Sequence, residues 1–544
     1  HQNTTLFSNQ LIRIMSIISM KHIPTQFFLR QALALGAFFV RSIVAIAMFC
    51  ILTASALAQS GKPASTPTGG DSVRKAETRQ QLRTPGGAPI FTPMGSPAFA
   101  PDNAQAQPIP YSDIHLRDSA FMKKNYGEIA ARIIAYALAD SSVYKRLQYM
   151  CDTFGPRLSG SANLERAIDW TLAEMKKDGF ENVRGEEVAV PAWVRGEESC
   201  EMIRPRPYSI AMLGLGGSVA TPKEGITAEV LVVRDFAELQ RRSAEAKGKI
   251  VLFNAPFTGY GATVRYRSEG AMRAAEAGAV ASLVRSVASF SMRTPHTGAM
   301  RYADSIPKIP SAAVSTEDAD IIARMVERGE TVIVRLKMNA QTLPDAVSRN
   351  VLAEIVGREK PDEFVVMGGH IDSWDVGTGA LDDAGGCFAT WRALQILKNL
   401  GLRPRRTLRV ALWTNEENGL RGGIDYARRH GDKKHVLAFE SDGGIFAPTG
   451  FGYTGAPEIF KAYQAAATLL RPIEASDVKV GGGGADISPL IPYAVPQMSI
   501  NVKAERYFWY HHTEADTPDK IDPLDLNKCA AAIAVMMFIA ADLP

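Results

Sequence analysis

Cysteine and histidine are scarce in this chain, five and nine among 544 residues. So few cysteines exclude a disulfide-built scaffold, and none of Cys151, Cys200, Cys387 and Cys529 stands in zinc-finger spacing. Those four allow three full pairings, among which the sequence does not choose. An excess of one charge is also missing: 61 Lys and Arg against 57 Asp and Glu leave +4. With no basic stripe and no aromatic–basic interleaving, nucleic acid is excluded as a partner. The chain has no H-E-x-x-H pair, no G-x-S-x-G elbow and no P-loop. Gly481–Gly484 lacks the following Lys-Ser/Thr of a phosphate cradle, so it reads as close backbone approach at a substrate cleft.

The length asks for two or three domains. Residue 1 is His, and Met15 and Met20 are candidate starts. Arg30 and Arg41 precede the apolar run "SIVAIAMFCILTASALAQ", which ends in Ala56-Leu57-Ala58. That is a charged region, a short apolar region and an A-x-A site, so a secretory signal over 1–58, cleaved after Ala58, is expected. The run is shorter than the roughly 20 residues of a membrane span, so no stable span is expected after cleavage. Cys50 follows Phe49, a poor lipid-attachment context. Residues 59–112, rich in Pro, Gly, Ser, Ala and Gln, read as a disordered linker.

From Asp118 to Tyr149 apolar residues recur at helical spacing, and "SANLERAIDWTLAEMKKDG" reads as a helix capped by Ser161 and ended by Gly179. "VRGEEVAVPAW" reads as a strand. Residues 113–195 thus form the first part of a main domain. Residues 196–345 change to short β-branched runs alternating with helices, an inserted α+β module; its His296 reads as an exposed loop histidine. From 346 to 544 apolar strands alternate with helices and end in an amphipathic helix, "DPLDLNKCAAAIAVMMFIAADL". The expected class is α/β, with a mixed, mainly parallel sheet covered by helices on both faces.

In such sheets ligands bind beyond the carboxyl ends of the strands. His370 ends "EFVVMGGH" with Asp372 just after it, and Asp382 and Asp383 sit in the following Gly-rich loop. Glu416 and Glu417 end "TLRVALWTN", Asp442 follows "HVLAFES", and His511 and His512 follow "INVKAERYFWY". Each alone reads as a cap or a solvated loop charge. Together they put acids and imidazoles at four strand ends, where mutual repulsion and desolvation call for a divalent cation. Nitrogen and oxygen donors without cysteine suit catalytic zinc. The donors outnumber what one catalytic zinc with an open position takes, and a carboxylate bridging two ions fits the count.

"GGHIDSWDVGTGALDDAGG", "LGLRPRRTLRVALWTNEENG", "ESDGGIFAPTG", "GGGGADI" and "RYFWYHHTEADT" resemble the di-zinc exopeptidase family that includes bacterial leucyl aminopeptidases and glutamate carboxypeptidases. The likeness spans about residues 115 to 544, with a protease-associated-type insert at 196–345. It implies two Zn²⁺ per chain: His370 on one, Asp382 bridging both, Glu417 on one, Asp442 on the other, and His512 completing the set. It further implies Glu416 as general base and acid, and an Asp372 that holds the far nitrogen of His370. His512 is preferred to His511 because the family pattern is His-Thr with Asp four residues on, here Asp516; His511 is left as a substrate contact. Relatives often carry Asn where Asp383 stands, and a cis peptide after the bridging aspartate, expected here between Asp382 and Asp383. The implied activity is hydrolysis of terminal bonds of short peptides or dipeptides by an exported (secreted or periplasmic) enzyme, with a metal-bound hydroxide as nucleophile. Amino-, carboxy- and dipeptidase action stay open, as does oligomeric state, for which the resemblance points to a homodimer. The rival reading is a catalytically inactive binding or receptor protein on the same fold; such relatives lose metal ligands.

Overall fold

The computed structural model describes residues 118–140 and 142–544, all within one compact unit. The expected signal segment and linker lie outside the described residues.

The opening helical stretch is two helices, α1 (Ser119–Leu138) and α2 (Ser142–Phe154). The Asp140 carboxylate accepts from the Ser142 backbone N–H (2.9 Å) and hydroxyl (2.6 Å). A short acidic side chain thus offers the backbone a local alternative to helix continuation. Helix α3 (Ala162–Lys177) starts where expected, with the Ser161 hydroxyl accepting from Leu164 N.

Eight strands form the main sheet: β1 (Glu181–Val194), β2 (Gln341–Ile355), β3 (Lys360–His370), β4 (Arg406–Trp413), β5 (Lys434–Glu440), β6 (Pro448–Thr454), β7 (Asp477–Val480) and β8 (Gln497–Val502). Their order is β1-β2-β4-β3-β5-β8-β6-β7. The central neighbours β4, β3, β5 and β8 are mutually parallel; β1, β2 and β6 join antiparallel, and β7 pairs parallel with β6. The fold is thus α/β with a mixed sheet. Connections in the parallel block run through helices α4 (Gly385–Asn399), α5 (Arg421–His430) and α6 (Pro457–Ala467).

Helix α7 (Pro523–Asp542) closes the chain, and it is not amphipathic: Leu526 and every residue from Cys529 to Ala541 are buried. Alanines let it lie between α1, α4 and the sheet, while Ile533, Met536, Met537 and Phe538 fill the gaps, each contributing about 1.5–3 kcal/mol of burial. It is long and apolar enough to cross a membrane, but here it is a core helix.

A second eight-stranded sheet lies between Glu198 and Met338, with a core of its own around Val230, Ile250, Leu283 and Leu336. All four described cysteines are free and buried.

Candidate metal centre

Because β4, β3, β5 and β8 are adjacent and parallel, their carboxyl ends share one edge. His370 is the last residue of β3, Glu416 and Glu417 follow β4, Asp442 follows β5, and His511 and His512 follow β8 through a short helical turn, Tyr507–Tyr510. Asp382 and Asp383 come from the loop between β3 and α4.

Asp382 faces two histidines with different oxygens. Its Oδ1 lies 3.2 Å from His370 Nε2, and its Oδ2 lies 3.3 Å from His512 Nε2. His370 Nε2 is also 3.4 Å from Asp442 Oδ1, and His512 Nε2 is 3.0 Å from Glu417 Oε2. His511 Nε2 stands further off, 3.6 Å from Asp382 Oδ2, with its ring stacked on His512 at 3.5 Å. The atoms fall into three overlapping groups of ligand type: His370, Asp382 and Glu417; His370, Asp383 and Asp442; Asp382, His511 and His512. Glu416 belongs to none of them, so the two adjacent glutamates differ in geometry as the resemblance implies they differ in role.

Burial lowers the proton affinity of the His370 ring, but its contacts with Asp382 and Asp442 outweigh that and hold its pKa well above the ordinary value. Burial raises Asp382, and His370 and His512 override it, leaving it well below the carboxylate range. Burial and the charge of Asp382 push Glu417 up to about 7. Burial, with Asp442 and Glu417 adding to it, pushes Glu416 well above its usual value.

The buried atoms His370 Nε2, Asp382 Oδ2, Glu417 Oε1 and Asp442 Oδ1 have no hydrogen-bond partner. Such groups are costly to bury unless something of opposite charge meets them. Imidazole and carboxylate donors converging in this way fit zinc.

The surrounding loop is fastened from several sides. Asp516 accepts from the N–H groups of Ala380 (3.1 Å), Leu381 (2.7 Å) and Asp382 (3.1 Å). Asp383 accepts from His370 N (3.1 Å) and Gly386 N (3.0 Å). A Cβ on Gly369 would stand 2.1 Å from Asp383 Oδ2, which answers for one of the many glycines in this stretch. The Asp382–Asp383 bond is cis.

Asp372 departs from its expected contact. Its backbone carbonyl is 3.0 Å from His370 Nδ1, whereas the carboxylate lies 3.8 Å away. The carboxylate instead accepts from Glu416 N (3.1 Å), Glu417 N (3.4 Å) and the Ser159 hydroxyl (3.2 Å), so it holds the turn that carries the two glutamates.

Buried Arg157 donates to the carbonyls of Ile371 (2.9 Å), Thr378 (2.7 Å) and Gly379 (3.0 Å), a support that sequence reasoning missed. The tetraglycine run is a close approach, but against β6 and a buried acid: a Cβ would meet Gly452 O at 2.0 Å from Gly482, and the Glu440 carboxyl carbon at 2.3 Å from Gly484.

His296 is the clearest correction. It is 1% exposed, and its Nδ1 lies 2.7 Å from the His511 carbonyl oxygen. An isolated histidine in a Pro- and Gly-flanked loop gives no local sign of a partner 215 residues away. Burial pulls its pKa down to about 3, so the ring is neutral. The insert meets the site elsewhere too. Trp374 packs against Gly216 of the insert, where a Cβ would come within 2.0 Å of the indole, and Arg195, just before the insert, grips Asp375 at 2.6 and 2.8 Å.

The profile of peptidase family M28 matches residues 350–537, and that of the PA domain matches residues 218–322. The chain is 49% identical over 424 residues to bovine carboxypeptidase Q, covering 77% of this chain and 90% of that protein. A crystal structure of a peptidase M28 precursor from Shewanella amazonensis superposes with a TM-score of 0.75 at 35% identity, over 77% of this chain and 97% of the other. A zinc aminopeptidase from Bacillus subtilis shares the fold, with a TM-score of 0.56 at 18% identity over 74% of this chain and 95% of the other.

Proposed function

The chain belongs to peptidase family M28 and is a zinc metallo-exopeptidase, and we propose that His370, Asp382, Glu417, Asp442 and His512 would hold two zinc ions, with Asp382 shared between the two sets of donors. The observation that carries this reading is the split of Asp382: one oxygen toward His370, the other toward His512. Bound zinc would acidify a water and polarise the scissile carbonyl.

The protein's own part begins with Glu416, which takes the proton of the attacking water and returns it to the leaving amine. Burial, with Asp442 and Glu417 adding to it, raises its proton affinity above that of an ordinary glutamate. Asp372 fixes the Glu416–Glu417 turn through two backbone N–H groups, and its carbonyl sets the His370 tautomer. The substrates we infer are short peptides or dipeptides, a reading supported by the family resemblance and by an insert that reaches the His511–His512 turn. Export is inferred from the signal-like segment ending at Ala58, and a homodimer from the family resemblance, to be checked by light scattering.

Metal analysis of the purified protein is expected to give close to two zinc ions per chain. Chelation is expected to abolish hydrolysis of a dipeptide panel, and zinc to restore it. Full activity without metal would end this reading. Tight zinc binding with no hydrolysis across dipeptides and amino- or carboxyl-blocked peptides would favour an inactive binding protein.

A further inference from the structure

The insert segment around His296 holds no ligand-type cluster, yet it is tied to the turn that carries His512. Thr297 N donates to the His512 carbonyl at 3.0 Å, and His512 Nδ1 lies 3.1 Å from the Thr297 carbonyl oxygen. These two bonds make a reciprocal clamp on one residue. His296 Nδ1 adds the 2.7 Å contact to the His511 carbonyl, and the His296 N–H donates to the Ser286 hydroxyl at 2.9 Å. Arg267 Nη1, 3.3 Å from Thr297 O and 3.3 Å from His512 Nδ1, closes the far side. Thr297 is fully buried, and both histidines of the turn nearly so.

The Thr297 carbonyl oxygen can only accept and is the nearer partner, at 3.1 Å against 3.3 Å for Arg267 Nη1, so the hydrogen of His512 is assigned to Nδ1, with the Arg267 N–H donated to that same carbonyl oxygen. A neutral ring with that hydrogen presents a lone pair at Nε2, the atom that faces Glu417 and Asp382. His370 is set in the same way by the Asp372 carbonyl, but that carbonyl comes from the peptidase loop itself. For His512 it comes from the insert. The backbone of His512 is also left-handed (φ 62), a conformation that a non-glycine residue keeps only where neighbours hold it.

We propose that the His296–Thr297 segment of the insert is a positioning element of the metal centre. The Thr297 carbonyl holds His512 in the tautomer that turns Nε2 to the site, and His296 anchors the turn that carries it. The proposal rests on His512 being a zinc ligand.

The test compares wild type with His296→Ala, His296→Asn and Ser286→Ala. Zinc affinity is measured by competition with a chromogenic chelator, and the visible spectrum is recorded after cobalt(II) loading, with unfolding midpoints as the folding control. His296→Ala is expected to weaken zinc binding by about 10–100-fold and to change the cobalt spectrum. His296→Asn, whose amide N–H can reach the His511 carbonyl, is expected to recover most of both. Ser286→Ala frees the His296 N–H and is expected to move both readings less, in the same direction; it decides the matter if His296→Ala does not fold. Wild-type affinity and spectrum in these folded variants would overturn the proposal, even with a lowered unfolding midpoint. An equal loss in His296→Asn and His296→Ala would overturn it too, since the ring's volume and not its hydrogen bond would then matter. A wild-type protein that takes up no zinc overturns the reading of the site instead.

Discussion

At one end of the main sheet, buried Glu354 meets Arg409 at 2.7 Å and Asn182 at 2.7 Å, Glu363 meets Arg406 at 2.6 Å, and beside them Glu186 meets Arg184 and His430, each at 2.9 Å. At the other end, Asp382, Glu417 and Asp442 meet only imidazoles, and among the described residues no Lys or Arg comes within ion-pair distance of them. Both ends bury carboxylates beside the same strands. In the first, the chain supplies the positive charge; in the second, it supplies donors converging from several elements and leaves the charge to come from solution. Burial alone therefore does not mark a functional acid. A buried acid without a fixed cation of its own does.

The largest effect is expected where that distinction is removed. Glu417→Gln takes away a charged donor next to His512, so zinc content should fall and peptide hydrolysis should drop to background. Metal analysis together with a dipeptide assay checks both. A Glu417→Gln protein with full zinc and activity would place Glu417 in the company of Glu354, as an acid held for structure.

Glu416→Gln sharpens the comparison within one turn. Zinc should stay bound, while kcat falls by about 10²–10⁴, the usual contribution of a positioned general base. The two variants are best read side by side. If Glu416→Gln empties the site while Glu417→Gln leaves it filled, the roles are exchanged.

How far the sequence foretold this arrangement follows from how local each signal is. His370, Glu416, Glu417 and Asp442 end apolar strands, so a charge that breaks a buried run points to the carboxyl edge of a parallel sheet. The Ser161 cap was legible for the same reason: cap and helix lie within three residues. What could not be read depends on distant partners. His296 looks solvated until the His511 turn packs on it, and Arg157 looks like a surface arginine until three carbonyls close around it. The contact of Asp372 with His370 runs through main chain, which carries no side-chain signature. Strand β6 carries a Pro and two Gly, and β7 is four residues long with two charges, both against strand propensity, and they form by pairing at the sheet's margin. Helix α7 has no polar stripe because it has no solvent face.

Next in size is the loss expected when the self-sufficient end is broken. Arg409→Met leaves Glu354 buried without its main cation, and should cost about 3–5 kcal/mol in denaturant unfolding with zinc content unchanged. Replacing Glu354 by Met as well should return most of that stability, since the pair's desolvation is then avoided. Zinc loss in Arg409→Met at matched folding would mean that the two ends are coupled, and the comparison would fail.

The smallest expected effect is a pH dependence at that same end. Burial by itself would raise the Glu186 carboxyl, but its hydrogen bond to His430 and the charges of His430 and Arg184 hold it at about 2, below the ordinary 4.5. A depressed carboxylate adds stability that is full above its unfolded pKa and fades as pH falls toward the folded one. The advantage of wild type over Glu186→Gln should therefore be constant from neutral pH to about 5 and shrink between about 4.5 and 2. The Glu186 pair is only partly buried, so solvent screening limits the advantage to about 1 kcal/mol. Urea midpoints of the two proteins, measured in pairs at each pH, isolate this contribution from the acid sensitivity they share. A gap that widens on acidification would mean that the carboxyl is held protonated in the fold, and that this end too keeps an acid its own cations do not balance.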